Sequence, residues 1–357
     1  MRIQAIGLQH FRNITAARLE FSGRLQFFVG PNGQGKTNLL EAAGFVTALR
    51  SFRSADHGSL IQQGNKEAAI ACDVEHDHEG ASQLTVSFKS GAKTAWLDGE
   101  KITRLGDIIG RFPSVVFSSQ DQQLVRGAPA GRRRWLDLTL SATDASYLAS
   151  LQAYHRALAE RNALLKRDGS TAEFQAFETV MAEHGFVLVE RRTKALAELA
   201  TVLMERYAQI ADRVENVGFA YAPQMALTSA DELVQKLAQN RQRDQIMKST
   251  GNGPHRDDFE FTLERRLAKD IASEGQQRAL VLSLRLAQAA WFAARTGVQP
   301  ALLADDVLGE LDPARRERFW SAVSTDSQVI ATGTVHPGDA LGNWQVFDVE
   351  DGRFSER

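Results

Sequence analysis

The stretch Gly30-Pro31-Asn32-Gly33-Gln34-Gly35-Lys36-Thr37 constrains this chain more than any other, because it demands one local architecture. Gly30, Gly33 and Gly35 permit a tight turn that side chains would obstruct. The flanks supply an apolar strand, Leu25–Val29, and a helical run from Thr37 to Ala48. A glycine-rich turn between strand and helix lets main-chain N–H groups converge on an anion, and the helix N-terminus adds partial positive charge. Every fixed position of G-x-x-x-x-G-K-[ST] is matched, the pattern whose lysine reaches the β and γ oxygens of a nucleoside triphosphate and whose hydroxyl holds Mg²⁺. Lys36 and Thr37 take those places.

A second signal lies far along the chain. Ala301 to Ala304 is an apolar strand that ends in two carboxylates, Asp305 and Asp306. Alone, such a run reads as a strand entering a loop. Beside a phosphate loop it reads as the second magnesium contact, Asp305, followed by a carboxylate, Asp306, that orients water and accepts its proton. Between the two lies Ser273-Glu274-Gly275-Gln276-Gln277-Arg278, ahead of a long helical run. Ser273 with Gln276 three residues on fits a capping box, and the same helix start suits an anion. Their order, phosphate loop, serine-glycine segment, carboxylate strand, is that of ATP-binding-cassette proteins.

The first part of the chain alternates in short strand-like runs, including Ala68 to Val74 and Leu84 to Phe88. From Ala145 the period becomes helical, with Tyr147, Leu151, Tyr154 and Leu158 on one stripe and Phe174, Phe177, Met181, His184 and Leu188 on another. Gly169, Gly218 and Pro223 divide this middle into several helices instead of one extended coiled coil. Strand, helix and strand return at the end, which predicts one α/β lobe built from both ends of the chain, residues 1–117 and 298–357, with a mainly helical lobe from 118–297 between them.

Composition adds exclusions. With 43% hydrophobic and 24% charged residues the chain is a folded globular protein. No stretch approaches the roughly 20 apolar residues of a membrane helix, so no membrane partner is expected. One cysteine, Cys72, cannot form an internal disulfide and suits the cytoplasm. A net charge of −2 means that any nucleic acid must be held by a local basic surface.

The motifs GPNGQGKTNLLEA, SEGQQRALVLSLRLAQ and LLADDVLGELDP, with HFRN at 10–13, SFR at 51–53 and GPHRDDF at 253–259, resemble the RecF family across nearly the whole chain. These are bacterial recombination mediators that act at DNA gaps and are related to SMC ATPase heads. The resemblance implies an ABC/SMC-head-like P-loop ATPase lobe, with weak ATP hydrolysis stimulated by DNA. It places Arg12, Asn13 and Asn38 near the nucleotide along with the loop, Gly30 to Thr37. It puts Ser273, Gly275 and Gln276 on the γ-phosphate of the opposite subunit, so that ATP joins two chains, and gives Gly309 to Asp312 to the dimer interface. DNA with a single-strand/double-strand junction, RecR with RecO, and the RecA recombinase follow as partners. Phe117-Ser118-Ser119-Gln120-Asp121 departs from the family's F-S-P-E-D.

Other features stay open. Arg12 can instead pair with a surface acid. Arg132-Arg133-Arg134, with Arg126 and Trp135, is the densest basic cluster and reads as a phosphate track or as internal ion pairs. His255 with Asp257 and Asp258 lacks metal-ligand spacing and suits an ion-pair network. His336 is a switch histidine or a plain loop residue. A transporter cassette is opposed by the long, largely helical stretch between Lys36 and Ser273. A non-transport ABC-type or SMC-like structural clamp, binding ATP without hydrolysis, is the remaining alternative.

Overall fold

Two kinds of apolar pattern fold into two kinds of sheet. The computed structural model describes the chain except residues 54–55, 90, 168, 337 and 339–340 and the side chains of 46–48 and 105. Leu25–Val29, Val329–Gly333 and Ala301–Asp305 are apolar almost throughout and buried on both faces, as parallel strands require. They form the centre of a six-stranded sheet ordered Arg353–Glu356, Gln345–Glu350, Leu25–Val29, Val329–Gly333, Ala301–Asp305, Ser114–Ser118. All neighbours are parallel except the last hairpin, Gln345–Glu350 with Arg353–Glu356. Strands from both the first and the last parts of the chain therefore share one sheet.

Glu67–His76, by contrast, alternates buried and less buried residues, the mark of an antiparallel strand with one covered face. It lies in a second six-stranded sheet, wholly antiparallel, with Arg2–Phe11, Ile14–Glu20, Gly80–Lys89, Ala92–Leu97 and Glu100–Lys101. Cys72 is fully buried there, and burial pushes its thiol pKa upward. The helix Lys36–Ala48 packs on strands of both sheets. That accounts for its apolar residues on every side: Leu39, Leu40, Ala42, Ala43 and Phe45 are all buried.

The chain divides into two compact units, the first of residues 1–121, 205–214 and 278–357, the second of 122–204 and 215–277. The division differs from the sequence-based one mainly at 205–214 and 278–297, which fall in the first unit. Helices Thr171–Ile210 and Glu274–Thr296 each contribute residues to both units, so a change of period does not mark the boundary.

In the second unit a three-stranded antiparallel sheet, Val217–Ala222, Asp258–Leu263 and Arg266–Leu267, accompanies helices Pro129–Ser141, Ala145–Arg167 and Ala230–Met247. The helical middle is less broken than the stripes suggest, since Thr171–Ile210 runs 40 residues straight through Gly185. There Leu233 and Tyr154 occupy the space a side chain would need. Among the described residues no helix is long and apolar enough to cross a membrane.

Candidate functional site: a phosphate loop and its carboxylates

The phosphate loop leaves the carboxyl end of Leu25–Val29 and enters the helix through Gly35, whose φ of 112° favours glycine. Gly30 has no room for a side chain, since a Cβ would lie 2.3 Å from the carbonyl oxygen of Val349. Among the described residues no side chain caps the helix, and no acid stands in its first turn, so its leading N–H groups face the loop unneutralised. Pro31, Asn32 and Gly33 are exposed at the tip, and Gln34 is partly buried. Lys36 is buried, and its Nζ donates to the carbonyls of Gly30 at 2.7 Å and Pro31 at 2.9 Å, holding the ammonium across the turn.

Thr37, on the first turn, donates from Oγ1 to Asp305 Oδ1 at 2.7 Å. The structure thus brings together two residues that the sequence reading paired, one on the helix that follows Leu25–Val29 and one at the end of Ala301–Asp305, two places away in the sheet. Burial raises the Asp305 pKa, and Asp306 adds to the rise, while hydrogen bonds from Thr37 and Thr332 oppose it. Asp306 follows in a left-handed conformation, φ 56°, which costs a non-glycine residue about 1–2 kcal/mol. Its partly buried carboxylate takes none of the hydrogen bonds that hold Asp305.

The HFRN turn lies against this loop. Asn13 occupies the space beside the Gly35 Cα and accepts from Asn38 Nδ2 at 2.8 Å. Arg12 grips Glu41 in a two-pronged pair, at 2.7 and 2.9 Å, and donates to the Ser59 carbonyl at 2.8 Å. Its partner is fully buried, so the surface-acid alternative gives way to an internal one. Ser51 and Arg53 of SFR also reach Glu41, and Arg53 donates to Asn38 Oδ1 at 2.8 Å. Sequence reasoning missed Glu41. A carboxylate among Leu39, Leu40, Ala42 and Ala43 on a buried helix is the signal that could have found it.

Elsewhere in the first unit, Asp312 caps the helix Pro313–Ala322, and Arg278 donates to the Glu310 carbonyl at 2.6 Å. Asp121, at the end of the divergent FSSQD segment, accepts from Ser118 N and pairs with Arg285. His336 sits edge-on to Phe27 and accepts from Gly338 N at 3.1 Å.

In the second unit the segment before Glu274–Thr296 forms the reciprocal capping box: Ser273 N donates to Gln276 Oε1 at 2.7 Å and Gln276 N to Ser273 Oγ at 3.3 Å. Ser273 is exposed, Gly275 partly buried, and Gln276 Nε2 also bonds Glu215.

Two of the three adjacent arginines turn inward, while Arg134 and the nearby Arg126 are exposed. Arg132 is buried and forks onto Asp258 at 2.7 and 2.8 Å, while Arg133 donates to the Asp257 carbonyl. His255 belongs to the same interior: Nε2 donates to the Thr250 carbonyl at 3.1 Å and Nδ1 accepts from Tyr154 at 2.7 Å. Burial lowers its pKa to about 4.

The family described as RecF/RecN/SMC N terminal domain matches residues 2–338. The DNA replication and repair protein RecF of Synechococcus sp. (strain JA-3-3Ab) is 36% identical over 99% of this chain and 98% of its own. That of Crocosphaera subtropica is 33% identical over the whole of both chains. Among solved structures, the recombination mediator protein RecF with ATP, in the RecFOR pathway, superposes with a TM-score of 0.93 at 27% identity, covering 99% of this chain and 97% of that one. An Smc head bound to a domain of ScpA gives 0.60 at 15% identity, covering 100% and 97%, a likeness of fold.

Proposed function

This chain belongs to the RecF family, and from that premise we propose that it binds and hydrolyses ATP and that two copies close on the nucleotide to clamp DNA. The observation that carries the reading is the 2.7 Å bond from Thr37 to Asp305 at the mouth of the phosphate loop. Two hard oxygen donors, one from the helix after the phosphate loop and one from the end of a strand, meet there beside a buried lysine. That pair fits Mg²⁺, which prefers oxygen ligands and takes the rest of its shell from phosphates and water.

In this reading Gly30, Pro31, Asn32, Gly33, Gln34, Gly35 and Asn38 shape the cradle, and Lys36 exchanges its two carbonyl partners for phosphate oxygens. Arg12 and Asn13 brace it. Thr37 and Asp305 would hold Mg²⁺, which when bound neutralises charge on the β and γ phosphates. Asp306 orients the attacking water and accepts its proton.

Ser273, Gly275 and Gln276 of one copy cap the γ-phosphate held by the other. The exposed Ser273 hydroxyl supports that role, because among the described residues its partner is the local N–H of Gln276. Hydrolysis removes the contact that favours the closed pair, so the dimer population falls and DNA is released. By family, the DNA is a gapped or junction substrate, turnover is weak and DNA-stimulated, and RecR with RecO and then RecA act with it in the cytoplasm, in recombinational repair and replication restart.

Sedimentation with saturating ATP and Mg²⁺ tests this. Wild type is expected to dimerise, and Ser273→Arg to bind ATP as a monomer. Single chains throughout, or Ser273→Arg dimers of unchanged stability, refute the sandwich. A clamp that binds ATP without hydrolysis is distinguished by phosphate release.

A further inference from the structure

The strand Val329–Gly333 lies between the strand that enters the phosphate loop and the strand that ends in Asp305. Its Thr332 is fully buried, and one hydroxyl serves both acidic residues. Thr332 Oγ1 donates to Asp305 Oδ1 at 3.1 Å and accepts from the main-chain N–H of Asp306 at 3.0 Å. A hydroxyl carries a single proton, so with the Asp306 N–H on its lone pair that proton is directed at Asp305.

The consequence differs for the two acids. Asp305 Oδ1 takes two hydroxyls, from Thr37 and Thr332. When the Thr37 oxygen turns to a cation, its proton leaves Oδ1, and Thr332 remains as the hydroxyl that fixes the carboxylate's direction. Asp306 has the left-handed backbone described above, and its N–H bond to Thr332 secures that conformation at the foot of the short helix Val307–Glu310.

We infer that Thr332 is a positioning residue for this site: it aims Asp305 at the cation and pins Asp306 so that its carboxylate is presented to water. The inference rests on the roles proposed above for the two acids. Outer groups that orient a metal ligand typically change metal affinity by 10–100-fold when removed.

Thr332→Val keeps the shape and removes the hydroxyl, while Thr332→Ser keeps the hydroxyl. Three quantities decide: affinity for a fluorescent ATP analogue in EDTA, the Mg²⁺ concentration that half-restores full nucleotide affinity, and binding of Mn²⁺ followed by electron paramagnetic resonance. For Thr332→Val we expect affinity in EDTA within twofold of wild type, a Mg²⁺ half-point and Mn²⁺ dissociation constant raised about tenfold or more, and phosphate release lowered by at least as much. Thr332→Ser restores the Mg²⁺ half-point, the Mn²⁺ dissociation constant and phosphate release.

A Thr332→Val protein with wild-type metal half-points overturns the inference, as does an equal loss in EDTA, which signifies structural damage alone. Should that variant not fold, Thr332→Ala gives the same comparison. Asp305→Asn separates the two levels: if it too leaves the metal half-point unmoved, the reading of Asp305 fails first. If only the Thr332 variants are silent, Thr332 alone is dismissed.

Discussion

The N–H of Gly352 donates to the main-chain carbonyl of Gln34 at 2.8 Å, tying the final hairpin to the phosphate loop. Asp351 N adds a bond to Gln34 Oε1 at 2.7 Å. The turn is also pressed against the HFRN segment, because a Cβ on Gly352 would lie 2.6 Å from the Asn13 carbonyl oxygen. Loop, hairpin and HFRN turn therefore hold one another.

Gly352→Ala should weaken ATP binding. Its φ of 72° strains any side chain, and the added carbon forces Asn13 back from Gly35. A loss of about 1.4 kcal/mol is a tenfold rise in dissociation constant. Asp351→Gly, which relieves a left-handed residue, is the control expected to bind normally. Equal affinities for both variants by calorimetric titration would sink the coupling.

Asp306→Asn should bind ATP normally and release phosphate about a hundredfold more slowly, the scale of a lost general base. Dimers should accumulate with ATP on a sizing column. Unchanged phosphate release removes Asp306 from the mechanism.

Arg132→Ala should cost stability without altering how salt affects DNA binding. Its guanidinium is buried against Asp258, and breaking such a pair typically costs about 3 kcal/mol. A phosphate-contacting arginine would instead lower the salt slope by about 1. Denaturant unfolding together with a salt titration distinguishes the two, and a reduced slope with intact stability would return Arg132 to the DNA surface.

His255 gives the protein a defined acid sensitivity. Partly buried, with both ring nitrogens engaged, it stays neutral down to about pH 4, whereas an unfolded chain protonates it near 6.5. The unfolded state thus holds the extra proton between those values, so stability is full above pH 6.5, falls on acidification and levels off below about 4. The gap corresponds to about 3 kcal/mol. His255→Gln lacks this term, so its stability deficit against wild type should shrink by about that amount between pH 7 and pH 4. Parallel pH dependences in chemical denaturation would contradict the assignment.

The phosphate loop and Asp305 were legible because each is written in consecutive residues whose local geometry is fixed: strand, glycine turn, helix, or strand and carboxylate. Pairing Thr37 with Asp305 rested on the chemistry of a phosphate loop, which needs a second magnesium contact from a carboxylate at a strand's end. Thr332, Glu41 and Gly352 were not legible in that way. Thr332 acts through the strand beside it, Glu41 through arginines at 12 and 53, and Gly352 through a loop at the other end of the chain. Arg132 shows the converse. Three adjacent arginines look like a charged surface until Asp258, in a strand far along the sequence, claims the first of them.

Cys72, sealed in the antiparallel sheet, leaves the folded protein without a reactive native thiol. A cysteine introduced at an exposed position with none of the proposed roles, such as Glu100, would be the sole point of attachment for a spin label or a short cross-linker. The approach of one copy to another on adding nucleotide then becomes a distance that is read directly, with no background from the wild-type chain.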